Sequence, residues 1–149
     1  MTDHDRDVDG PKTQDGVEFS AHQQEGLARE RGMKVRREVL GDAHVDRAEA
    51  NKDGFTEDFQ DFITRYAWGE VWSRPGLDRR SRSVATLAAL VSLRAGNEIG
   101  MHVRAALRNG LTPEEIKEVI LHTAVYAGVP AANDAFRIAQ QVIAEEVSS

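Results

Sequence analysis

Asn97-Glu98-Ile99-Gly100-Met101-His102-Val103-Arg104-Ala105-Ala106 and, two residues on, Asn109-Gly110-Leu111-Thr112-Pro113-Glu114-Glu115-Ile116 form the stretch whose reading decides the fold. The first piece is a largely apolar helix that Asn97 can cap. Gly110 ends it, and Thr112-Pro113-Glu114-Glu115 then supplies a cap, a proline at the first helical position and a capping-box acid. Ile116, Val119, Ile120, Thr123 and Ala127 make the inner stripe of the helix so begun, which Gly128-Val129-Pro130 stops. Ala132, Phe136, Ala139 and Ile143 mark a final helix.

Reading backwards, Asp78 is an N-cap followed by Arg79, Arg80 and Arg82. Behind them the run Val84 to Val91 is apolar on all sides, which predicts a central helix that Gly96 ends. Further upstream, Phe55, Phe59, Phe62, Ile63 and Tyr66 follow the spacing of one helical face, with Glu57 and Asp58 near its N-terminal dipole. Asp42 to Lys52 adds a helical turn or two before Asp53-Gly54. A weakly amphipathic helix carrying Leu27, Met33, Val35, Val39 and Leu40 precedes it. No alternating strand pattern occurs, so the prediction is an all-α domain over residues 25–149 behind a polar, disordered tail, residues 1–24.

Composition narrows the function. A net charge of -6 disfavours nucleic acid and anionic membrane as partners. The absence of cysteine excludes disulfides, thiolate nucleophiles and Cys-based zinc or redox sites. No apolar run approaches the roughly 20 residues of a membrane span, and the charged N-terminus predicts an unexported, cytoplasmic protein.

The chemistry-bearing pair is Glu98 and His102. Four residues apart on a helix they share a face, where the carboxylate is expected to orient the imidazole and raise its pKa, giving a proton donor near neutral pH. The same spacing also occurs in surface pairs worth a few tenths of a kcal/mol. Two ligands without a third or fourth do not make a metal site, and none is expected. Arg104 lies roughly 200° around the helix from His102, which predicts that it stays out of His102's pocket and serves a neighbouring subunit. His122 interrupts an apolar helix, either as a site residue or as a core histidine bonded to a carbonyl. Trp68, Trp72 and Tyr126 either wall a pocket or pack the core.

Together these pieces resemble the carboxymuconolactone decarboxylase family. The resemblance is carried by Asp78-Arg79-Arg80-Ser81-Arg82-Ser83, Glu98-x-x-x-His102-Val103-Arg104-Ala105-Ala106, Asn109 to Ile116 and His122 to Ala132, with Arg31 to Gly41 and Trp68 to Pro75 upstream. It implies an AhpD-like fold of about six to seven helices, assembled as a homo-oligomeric ring, a hexamer. The related alkyl-hydroperoxidase proteins carry Cys-x-x-Cys-x-x-x-His. Aligning His102 with that histidine puts Ala95 and Glu98 at the cysteine positions, which removes thiol peroxidase chemistry. The resemblance then implies cofactor-free loss of CO2 from 4-carboxymuconolactone, with His102 as proton donor and Glu98 setting its charge. The anionic lactone would be bound by Arg82 and Arg79, helped by His122 and Trp72. The Arg cluster is equally readable as a solvated helix start or an intersubunit ion-pair network. The alternatives are a related lactone or β-keto acid as substrate, or a non-catalytic oligomeric binding protein of the same fold.

Overall fold

The computed structural model describes residues 19–149, and these contain seven α-helices, one π-helical segment and no strand. Most of the expected polar tail lies outside the described residues. Its boundary does not fall at residue 24, however, because α1 (Ala21–Leu40) starts four residues earlier, on a capping box in which Ser20 Oγ accepts from Gln23 N–H and Gln23 caps Ser20 in return.

Gly41 ends α1 with φ +88, and its N–H bonds back to the Arg37 carbonyl. The turn leads into α2 (Asp42–Ala50), which Arg37 fastens by bonding Asp42 at 3.2 Å and Asp46 at 2.8 Å. Next come α3 (Glu57–Ile63) and the π segment (Thr64–Trp72), which packs along α1. Glycine makes that packing possible. A Cβ on Gly32 would run into the Thr64 carbonyl, and one on Gly69 into the Ala28 carbonyl. Buried Arg36 locks the pair by donating to Thr64 Oγ1 and Gln60 Oε1.

The face expected for this region is present, but it points outward. Phe55 is 94% exposed, Phe59 61%, and the rings of Phe62 and Tyr66 stack at 5.3 Å on the surface. The side turned to α1 is instead Thr64, Trp68 and Gly69, where small residues permit closer approach than phenyl rings would.

Asp78 caps α4 (Arg79–Ser92) as expected, accepting from Ser81 N–H. The helix is not surrounded, however. Only Ser83, Leu87 and Val91 are fully buried, at steps of four, while Val84, Ala85 and Ala89 are exposed. The turn that follows is made by Arg94, at φ +54, rather than by Gly96. Gly96 opens α5 (Gly96–Arg108), so Asn97 lies inside the first turn and supplies no cap bond. The later signals hold: Gly110 has φ +96, and Thr112 and Glu115 form the capping box of α6 (Pro113–Ala127). Gly128, at φ +95, separates α6 from α7 (Val129–Val147), whose first turn contains Pro130.

The central helix is α5. Ile99, Val103 and Ala106 enter the main core with Leu87, Val91, Ile116, Ile120, Ala135 and Val142. Ala105 and Met101 join a second cluster with Val35, Val39, Val45 and Trp68. At roughly 100° per residue, His102 falls between these two buried stripes, so it is drawn inward without being enclosed.

Candidate functional site

α5 presents His102 half-buried, with Nδ1 out of reach of solvent and without a protein hydrogen-bond partner among the described residues. A buried polar atom left in this way costs free energy unless a ligand or water satisfies it. The imidazole is pushed down to a pKa of about 4, first by desolvation and then by the charge of His44. This corrects the expectation drawn from the sequence. Glu98 is exposed in the first turn of α5 and makes no hydrogen bond to His102, so it does not raise the imidazole pKa. Four-residue spacing puts two side chains on one face, but burial at one end and solvent at the other separates their heads.

Glu98 does act on His44, raising its pKa against a net lowering by desolvation, Arg36, Arg47 and Arg104. Sequence reasoning missed His44. It enters from α2, and the only local signal is Arg47, one turn later on the same short helix. His44 lines a cavity of about 220 Å³ together with Leu40, Gly41, Ala43, Arg47, Met101, Arg104, Arg108 and Glu146. Arg104 lines this cavity and His102 does not, in keeping with their separation around α5. The long Arg104 side chain reaches the space that α2 brings alongside α5, where it pairs with Glu145 at 2.6 Å and Glu146 at 3.1 Å of α7.

The other sequence candidates lie elsewhere. Arg79 and Trp72 line a separate cleft of about 400 Å³ with Arg31, Lys34, Glu38 and Arg74, and Arg79 is paired with Glu38 at 2.7 Å. Arg80 binds the Glu115 carboxylate and the Gly110 carbonyl, holding Glu115 down to about 2. Arg82 donates Nη2 to the Arg74 carbonyl at 3.1 Å, and its Nε is buried without a partner. His122 is exposed and neither a core histidine nor part of a cavity with His102; its ring meets Tyr126 at 5.6 Å. Trp72 packs against Trp68 at 5.1 Å, so it serves packing and cleft together. Among the described residues, no three His, Asp or Glu side chains converge as metal ligands, and no helix is long and apolar enough to cross a membrane.

The α2–α5 cavity brings an imidazole and three guanidiniums together, one of them paired with Glu145 and Glu146, near a half-buried uncharged imidazole, an arrangement suited to an anionic ligand and to proton transfer. The comparisons agree with that chemistry. The chain is 53% identical over 111 residues, 74% of its length and 83% of the relative's, to a 4-carboxymuconolactone decarboxylase of Acinetobacter baylyi. It is 46% identical over 116 residues, 78% of its length and 81% of the relative's, to the nitrosuccinic acid decarboxylase npaB of Metarhizium robertsii. A shorter match, 56% identical over 39 residues, covers 26% of this chain and 81% of a Pseudomonas putida 4-carboxymuconolactone decarboxylase. The family model described as carboxymuconolactone decarboxylase matches residues 57–141, and by these measures the chain belongs to that family.

Proposed function

We propose that this protein is a cofactor-free carboxy-lyase that converts 4-carboxymuconolactone to 3-oxoadipate enol-lactone and CO2 in protocatechuate breakdown. The observation that carries the reading is the 53% identity to a decarboxylase of that name, in a chain whose α2–α5 region pairs imidazoles with guanidiniums.

The chemistry follows from the substrate. As the C–CO2 bond breaks, its electron pair moves through the conjugated double bond onto the lactone carbonyl oxygen, forming a dienolate. A proton delivered to the carbon next to that carbonyl completes the enol-lactone, so each turnover consumes one proton. His102 is the donor in this proposal. With a pKa of about 4 it is uncharged in the free protein at neutral pH, and the negative charge of a dianionic substrate beside it opposes the desolvation and the His44 charge that hold it so. His102 takes a proton from solvent as the substrate binds, gives it to carbon after CO2 departs, and is neutral again when product leaves. Glu98 acts on this cycle through His44, whose charge it favours and which in turn opposes charge on His102. Arg82, with a buried free Nε, is a further anion contact from the α4 side.

The second relative favours one alternative within the same chemistry. Nitrosuccinic acid is also a dicarboxylic acid in which an electron-withdrawing group can accept the pair released with CO2, so a nitro or carbonyl acceptor on a C4 to C7 diacid defines the neighbouring substrate class. The test is turnover of freshly generated 4-carboxymuconolactone, with nitrosuccinate alongside, by native protein and His102→Ala. Enol-lactone formation by the native protein, reduced at least roughly 100-fold in the variant, is expected. A fully active His102→Ala removes the donor assignment, and turnover of nitrosuccinate alone moves the substrate.

The exposed phenyl stripe of α3 and the exposed face of α4 further support the homo-oligomeric, ring-forming assembly, in which these surfaces meet other copies.

A further inference from the structure

The substrate class named above carries two carboxylates of opposite fate: one leaves as neutral CO2 and one stays. Physical chemistry assigns them different surroundings. A guanidinium on the departing carboxylate stabilises the ground state and loses its partner in the transition state, which slows the reaction. A guanidinium on the retained carboxylate interacts equally before and after bond breaking, so it supplies affinity and orientation without raising the barrier. A strongly cationic pocket therefore suits the carboxylate that stays.

The cavity between α2 and α5 has that character. Arg104 is balanced by Glu145 and Glu146, but Arg47 and Arg108 have neither an ion pair nor a hydrogen bond among the described residues. Arg108 is seated deliberately. Its guanidinium lies over the turn at Gly41, where a Cβ would come within 2.6 Å of Nη2 and 2.8 Å of Cζ, so the glycine that reverses the chain also leaves room for the cation. Leu40, Met101 and Ala43 complete the walls, and His44 forms the side toward His102.

We infer that Arg47 and Arg108 hold the retained carboxylate of the diacid substrate, leaving the departing carboxylate away from the guanidiniums, on the side of His44 and His102. This rests on the decarboxylase reading and deepens it. It also replaces Arg79 as a substrate contact, since that side chain is paired with Glu38 in the other cleft.

The test compares native protein with Arg47→Gln and Arg108→Gln, both at exposed positions without bonds to the fold. KM for 4-carboxymuconolactone is expected to rise roughly 10- to 100-fold in each, with kcat within a few-fold of native, as for loss of a charged hydrogen bond made equally in ground and transition states. Succinate, which has no acceptor for the electron pair, is the binding probe. Calorimetry is expected to show it bound by native protein and weakened by the same factor in both variants. Unchanged KM in both variants, or a fall in kcat at constant KM, overturns the assignment. If native protein binds succinate in an Arg108-dependent way yet turns over neither diacid, the anion pocket stands and the decarboxylase reading fails. If it turns over 4-carboxymuconolactone while succinate binding ignores both arginines, the pocket assignment fails and the reading stands.

Discussion

His102 carries the consequences at the scale of single residues, because its folded-state pKa of about 4 lies below the 6.5 of an unfolded histidine. Between those values the unfolded chain binds the proton that the folded chain refuses. Stability therefore falls as pH drops from about 6.5 to 4, by up to about 3 kcal/mol from this group, and the effect is complete below pH 4. His44, lowered for the same main reason, adds in the same direction. The paired carboxylates act in another window. Asp61, Asp78 and Glu115 are held below their ordinary values by Arg65, by Ser81 and by Arg80, so their contribution is lost only as pH falls through and below about 4. Urea midpoints measured at pH 7, 5.5 and 4.5 should thus drop in native protein and drop distinctly less in His102→Gln. Parallel slopes for the two proteins would show that His102 is not held uncharged.

Helix starts and stops were the most legible elements, for a physical reason. Thr112 with Glu115, Asp78 with Ser81, and Gly110 and Gly128 at positive φ are local devices, complete within four residues of sequence. What depended on other helices was less legible. The phenyl spacing from Phe55 to Tyr66 identified a helix but not the side it buries, since that was decided by Gly32 and Gly69 meeting across α1 and the π segment. The Glu98 and His102 pair was found by spacing, whereas His44 and Arg47 were not, because α2 brings them to α5, and to Arg108 at its end, only through the turn at Gly41. The glycine contact yields a prediction for this pair of elements. Gly32→Ala should lower stability by about 3 kcal/mol or more, its methyl being driven into the backbone of Thr64, while Gly26→Ala in the same helix, with open space around it, should raise stability by about 0.5–1 kcal/mol. Equilibrium unfolding of both variants checks the pair, and a neutral Gly32→Ala would mean that the two helices can move apart freely.

For the whole molecule, the decisive fact is how much apolar surface one chain leaves uncovered. Phe55, Phe59, Phe62 and Tyr66 are exposed on one side, and Leu121, Val125, Tyr126 and Val129 on another, with Val125 at 77% and Tyr126 at 80%. Patches of this kind are costly in water at roughly 25 cal/mol per Å² and are uncommon on stable monomers. Copies that each carry a charge of -6 repel at long range, so the proposed assembly rests on such apolar contacts at close range rather than on net charge attraction. Two separate patches, rather than one self-complementary face, are what a closed ring of more than two copies uses. Sedimentation of native protein at micromolar concentration should accordingly give a mass several times the 16.5 kDa of one chain. Phe59→Glu and Val125→Glu, one on each patch and both exposed within the single chain, should each shift the distribution to smaller species while far-ultraviolet circular dichroism stays unchanged. A native protein that sediments at 16.5 kDa would remove the assembly, and either glutamate left without effect would free its patch from the interface.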